Sequence, residues 1–158
     1  MLIHPIPPLF DKNSKILILG SFPSVKSRKT QFFYGHPQNR FWYVLSEIME
    51  ENCPETIEQK RELLLRHNIA LWDVIAGCDI EGSSDSSIKN VVPNDLSIIL
   101  NNADIRRIFV NGRTAYRYFC KYNKELNAVC LPSTSPANAA FSAEKLIESW
   151  NIIKKYSG

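Results

Sequence analysis

The chain has 158 residues, 44% hydrophobic and 22% charged, with 19 Lys and Arg against 16 Asp and Glu. That is the composition of an ordinary folded protein, expected to form a single domain over residues 1–158 that buries roughly 70% of the surface of its unfolded chain. No apolar run approaches the ~20 residues of a membrane span, and the opening MLIHPIPPLF has no basic region and is broken by prolines. A membrane anchor and a signal peptide are therefore not expected, and the expected location is the cytoplasm.

In chain order, the apolar run Lys15–Gly20 reads as a buried strand. It is followed by GSFPSVKSRKTQFFYGHPQNRFW (Gly20 to Trp42), which mixes glycine, proline, hydroxyls, bases and aromatics. Between Lys12 and Ser46 there are six Lys or Arg and no acid. One-signed charge beside Phe32, Phe33 and Tyr34, expected to be exposed, suits a phosphodiester with a base to stack. A helix is expected over Asn39–Met49, where Asn39 could serve as an N-cap. A second helix, over Pro54–His67, completes an acidic stretch (Glu47–Glu62) expected to be a solvated back surface. The run Ile69–Ile75 (IALWDVI) predicts strand two, with Asp73 as the one acid in an apolar segment. Such a carboxylate is costly unless it is paired, used, or spent on capping. Pro93–Asn102 predicts a helix, Arg107–Asn111 strand three, Arg113–Tyr122 a helix and Ala128–Leu131 strand four. The closing helix, Ser142–Tyr156, begins at an N-cap-like serine and repeats Leu146, Ile147, Trp150 and Ile153 at helical spacing.

Alternating strands and helices predict an α/β fold: a three-layer α/β/α sandwich around a short, mostly parallel four-stranded sheet. Right-handed crossovers then bring every strand's carboxyl end to one edge, where ligands of open α/β sheets bind. Gly20–Ser24, Trp72–Ile75, Asn111–Gly112 and Leu131–Pro136 all fall there. The first loop is neither a Walker loop nor a dinucleotide fingerprint. Cys53, Cys78, Cys120 and Cys130 lie far apart without a C-x-x-C pair, so no zinc ribbon or iron–sulfur cluster is expected and the thiols should be reduced and mostly buried. No metal-ligand spacing is visible. The uncharged stretch Leu126–Ala143 would let a phosphate approach without repulsion.

GSFPS (20–24), GHPQNRFW (35–42), LWDVI (71–75) and LPSTSPAN (131–138), in this order and spacing, resemble the uracil-DNA glycosylase superfamily, and most closely its hypoxanthine-DNA (deoxyinosine) glycosylase branch. The resemblance spans nearly the whole chain. It implies a monofunctional DNA glycosylase of base excision repair that removes a deaminated base from DNA, without metal or organic cofactor. Two positions depart from much of the superfamily. Phe22 stands where relatives carry an Asp or Asn that orients water, and the Ser-Thr-Ser-Pro loop lacks a histidine. The hypoxanthine branch instead implies Asn39 as the catalytic polar residue.

On this basis the flipped base is expected to meet Phe22, Phe33, Tyr34, Asp73 and Asn111, with Phe33 or Tyr34 stacking on it. Asp73 would accept from N1–H of hypoxanthine, and a backbone N–H or Asn111 would donate to O6. Asn39 would accept from and orient the water under C1′. Ser24, Lys26, Ser27, Arg28, Lys29, Ser133 and Ser135 are expected to grip the DNA backbone, with Ala137 and Asn138 pressing into the duplex. The expected partner is DNA, met by a monomer that associates with the nucleoid. The rival expectations are a mismatch-specific uracil/thymine glycosylase, a non-catalytic lesion-binding module and a small-molecule nucleoside hydrolase.

Overall fold

The computed structural model describes residues 1–158. Its centre is β2 (Ile16–Gly20), all five residues of which are buried. Successive side chains of a strand point to opposite faces, so a fully buried strand is covered on both sides. Around it lies an all-parallel sheet with β3 (Ile69–Asp73) on one side, then β6 (Arg107–Asn111) and β7 (Val129–Leu131) on the other. Ile16 pairs with Ile69 and Gly20 with Asp73, so these carboxyl ends finish level. Helices α2 (Phe41–Ile48), α3 (Ile57–Arg66), α5 (Arg113–Tyr122), α6 (Ala143–Trp150) and α7 (Ile153–Ser157) complete the α/β layering. Local signals start two of them. Thr56 and Gln59 form a reciprocal capping box on α3, and the Ser142 hydroxyl accepts from Lys145 N on α6.

The apolar run 69–75 does not continue as one strand. At Val74 the chain changes sheets: Val74 N donates to Gly20 O (2.8 Å) and Ile75 N to Ser21 O (3.1 Å). The chain then enters β4 (Ile75–Asp79), the middle strand of a second, antiparallel sheet with β1 (Leu2–Ile3) and β5 (Lys89–Pro93). The helix expected from Pro93 is consequently short. Lys-Asn-Val-Val-Pro pairs with β4 at the sheet edge, where a terminal proline is tolerated, and only Ser97–Leu100 is helical (α4). The closing helix is broken at Asn151–Ile152 into α6 and α7, and nothing in the sequence marks this break. A further helix, α1 (Val25–Thr30), lies inside the basic stretch, capped by the Ser24 hydroxyl accepting from Ser27 N. Only Cys78 is buried; Cys53, Cys120 and Cys130 are exposed, contrary to the expectation of mostly buried thiols.

Candidate active site

A cavity of about 710 Å³ opens at the carboxyl edge of the parallel sheet. Its walls come from the loop after β2 (Gly20–Ser24), from Phe33, Tyr34, His36 and Asn39, and from Asp73, residues 83–86, Asn111 and residues 133–137. A larger groove of about 930 Å³ lies elsewhere, between the ends of α2 and α3. Glu47, Glu50, Glu51, Glu55 and Glu62 line it, and that charge repels phosphate.

Each tryptophan indole fastens one segment of the cavity's frame. Trp42 Nε1 donates to Phe33 O (3.2 Å), Trp72 Nε1 to Ile6 O (3.2 Å) and Trp150 Nε1 to Pro132 O (2.9 Å). Arg40 holds the last loop. Its guanidinium donates to Ser135 O (2.9 Å), Asn138 O (3.0 Å) and Phe141 O. A planar fork with fixed donors suits such a task better than an ammonium group would.

Asn39 sits just before α2 and is half-buried. Its Oδ1 accepts from Phe41 N (2.9 Å) and from the Thr134 hydroxyl (2.8 Å). A backbone N–H only donates, so Phe41 fixes which end of the amide is oxygen. Thr134, fully buried, also accepts from Asn111 Nδ2 (2.9 Å), while Thr134 N donates to Asn111 Oδ1 (3.0 Å). The result is a chain, Asn111 to Thr134 to Asn39, that orients both amides. It occupies both lone pairs of the Asn39 oxygen and leaves the Asn39 Nδ2 hydrogens free.

On the cavity floor, Asp73 is buried and its Oδ2 lies 2.7 Å from His4 Nε2. It caps no helix. Gly20, opposite it in the sheet, is required by contact: a Cβ there would lie 2.5 Å from Asp73 Oδ1 and 3.0 Å from the Tyr34 hydroxyl. Tyr34 is held in a left-handed backbone conformation (φ 50°) with its ring stacked on Phe41, centroids 4.1 Å apart. Its hydroxyl is buried without a hydrogen-bond partner. Burial first, and then the nearby Asp73 charge, push its pKa far above the ordinary tyrosine value, so it remains a neutral donor. Burial likewise raises the pKa of Asp85, whose carboxylate accepts from Ser21 Oγ (3.0 Å) at the cavity rim.

Comparison with known proteins places this geometry. The family model for the uracil DNA glycosylase superfamily matches residues 7–154. The chain belongs to the uracil DNA glycosylase superfamily. A protein of Methanosarcina acetivorans named hypoxanthine DNA glycosylase is 36% identical over 159 aligned positions, 99% of this chain and 100% of that protein. One of the same name from Methanosarcina barkeri is 39% identical over 114 positions, 71% of this chain and 72% of the other. The solution NMR structure of a candidate uracil DNA glycosylase from Methanosarcina acetivorans superposes with a TM-score of 0.80 at 35% identity, covering 98% of both chains.

Within this glycosylase fold the expected site residues separate into groups. Asn39, Phe22, Phe33, Tyr34, Asp73 and Asn111 all line the one cavity. The aromatics are not an exposed stacking surface, however: Phe32 and Phe33 are 4% and 2% exposed, packed in the core. Phe22 is also buried, edge-on to His4 (5.9 Å) and beneath the Arg28 guanidinium (5.7 Å). Of the expected backbone grip, Lys26 and Lys29 are exposed on α1. Arg28 is drawn to Gly82 O (2.6 Å), and buried Ser27 accepts from Gly35 N (2.8 Å). Ser133 and Ser135 accept from Ser135 N and Ala137 N, bonds that shape their own loop. Asn138 Nδ2 is turned back onto Ser133 O (3.0 Å), while Ala137 is exposed at the tip. His4, Arg40 and Thr134 escaped the sequence reading. Arg40 and Thr134 stand inside the motifs GHPQNRFW and LPSTSPAN, but His4 lies in a segment with no motif at all.

Proposed function

We propose that this protein is a monofunctional DNA glycosylase that flips a deaminated base, foremost hypoxanthine, into the cavity and hydrolyses its N-glycosidic bond. The observation that carries the reading is the buried Asp73 carboxylate on the cavity floor, held by His4. Deamination converts a ring nitrogen that accepts into one that donates: adenine N1 becomes N1–H of hypoxanthine. A buried carboxylate welcomes the donor and repels the acceptor. Sites built on such a bond reject the mismatched analogue by about 10⁴–10⁵-fold. Uracil also carries a ring N–H, so Asp73 alone would not exclude it. Phe22 supports the choice of purine, because it puts an apolar wall where a pyrimidine-excising relative would want a polar group.

For the chemistry, bond breaking leaves an oxocarbenium-like sugar, which needs a placed water more than a strong base. Asn39 offers its Nδ2 hydrogens to that water's oxygen, since its own oxygen is engaged by Phe41 N and Thr134. This replaces the expectation that Asn39 accepts from the water. Tyr34, a neutral hydroxyl, and the remaining Nδ2 hydrogen of Asn111 are the cavity donors offered to the exocyclic oxygen. Lys26 and Lys29 would meet the phosphates, and Ala137 the duplex.

The test is a panel of end-labelled duplexes carrying inosine, xanthine, uracil or no lesion, incubated with the protein and then treated with alkali. Inosine-dependent strand breaks at the highest rate are the expected result. Equal or faster cutting at uracil would overturn the purine preference, and a shifted but uncut inosine duplex would leave only a lesion-binding module.

A further inference from the structure

We propose that His4 is a positioning residue for base selection: its hydrogen bond holds the Asp73 carboxylate in place with one oxygen directed to the base. The inference rests on the reading of Asp73 given above. Two bonds define the state of the imidazole. Ile6 N donates to His4 Nδ1 (3.2 Å), and His4 Nε2 faces Asp73 Oδ2 (2.7 Å). An amide N–H cannot accept, so Nδ1 carries no proton and Nε2–H is the donor to the carboxylate. His4 therefore accepts at Nδ1 and donates at Nε2, and Asp73 Oδ2 is its acceptor.

The surroundings make the bond rigid. The His4 side chain is 3% exposed and that of Asp73 6%. Phe22, Trp72 and Phe33 surround the imidazole, with ring centroids 5.9, 6.3 and 6.4 Å away. The backbone is fastened on both sides, by His4 N to Ala76 O (2.7 Å) and by Trp72 Nε1 to Ile6 O (3.2 Å). With Oδ2 committed to His4, Oδ1 is the oxygen above Gly20, on the side of the Tyr34 hydroxyl. The carboxylate cannot turn without breaking the His4 bond, and the amide of Asp73→Asn would place either an oxygen or a clashing NH₂ against Nε2–H.

The test is a double-mutant cycle between His4→Phe and Asp73→Asn, read as single-turnover excision of inosine and of adenine opposite thymine. Phe fills the aromatic box but cannot donate, and His4→Gln restores a donor. The expected result is a 10–100-fold loss of inosine excision, a narrowed inosine-to-adenine ratio in H4F with DNA binding retained, and partial recovery in H4Q. In the D73N background, H4F should add little, because its route to the base is already removed. Losses that multiply fully in the double variant would overturn the coupling. So would an H4F enzyme that keeps wild-type rate and ratio while D73N loses them, and that outcome leaves the reading of Asp73 intact. An unchanged ratio in D73N itself would instead remove Asp73 as reader, and the role of His4 with it. Should H4F fold poorly by thermal melting, H4Q against His4→Ala supplies the same comparison: recovery by the donor supports the proposal and its absence overturns it.

Discussion

At the scale of single residues, the site is governed by which hydrogen-bonding atoms are already engaged. Asn39 has one end satisfied and one end free, so Asn39→Ala should lose excision by about 10²–10³-fold while still binding an inosine duplex. Single-turnover rates beside gel-shift affinity would check this; an unimpaired rate would end the assignment. Thr134→Val preserves shape but removes one of the two bonds to the Asn39 oxygen and strands an Asn111 hydrogen. An unmet buried polar group costs about 1–3 kcal/mol, so a roughly 10–100-fold slower excision is expected, with a modest fall in melting temperature. Gly20→Ala is harsher than its size suggests. The added methyl would meet Asp73 Oδ1 at 2.5 Å, and Asp73 can move aside only by giving up its bond to His4. Excision should fall at least about tenfold, a typical cost for overpacking of ~1–3 kcal/mol, and a crystal structure should show Asp73 displaced.

At the scale of elements, the work of meeting DNA is divided, on the proposed function, between the loop after β7 and the helix α1. The loop's serines and Asn138 bond to their own backbone, and Arg40 bonds to three of its carbonyls. Its rigidity thus depends on a residue almost a hundred positions earlier. Arg40→Lys keeps the charge but cannot span three acceptors, so amide exchange in residues 136–141 should quicken while the rest of the fold stays protected. On α1 the charges of Lys26 and Lys29 stand exposed. Lys26→Ala and Lys29→Ala should each lower the salt slope of DNA binding by about one without altering base choice. These elements also show where the sequence was legible. Strand ends, the cavity's location and most of its wall followed from apolar runs and from glycine, proline and asparagine at their limits. Asp73 drew notice as a lone acid in an apolar run. Its partner could not be found, because His4 joins it across sixty-nine positions through a two-residue strand too short to leave a pattern. The aromatics misled for a related reason: Phe32 and Phe33 adjoin bases in sequence, but their side chains serve the core.

At the scale of the whole molecule, charge is sorted by region. Basic α1 flanks the cavity, while the acidic groove lies apart and is braced by Glu51, which pairs with Arg66 and His67. Hydrogen bonds from Arg66 first, then His67, hold the Glu51 carboxyl at about 2, below its ordinary 4.5. A depressed carboxylate stabilises the fold above its unfolded value, so this contribution is complete above about 4.5 and disappears as the pH falls toward about 2. The cluster is partly solvated, and Glu51→Gln should therefore cost no more than ~1 kcal/mol at neutral pH, about 2–4 °C in Tm, and nothing near pH 2. Melting curves at the two pH values would check it. The change of sheets at Val74 carries a different consequence. Asp73 closes the parallel sheet, and its partner His4 follows directly from β1 of the antiparallel one. The bond between them is a rivet through two plates, and the carboxylate registers any slip of one plate against the other. On the proposed role of Asp73, substitutions in β1 that never touch the cavity should therefore shift base preference, read as the inosine-to-adenine excision ratio.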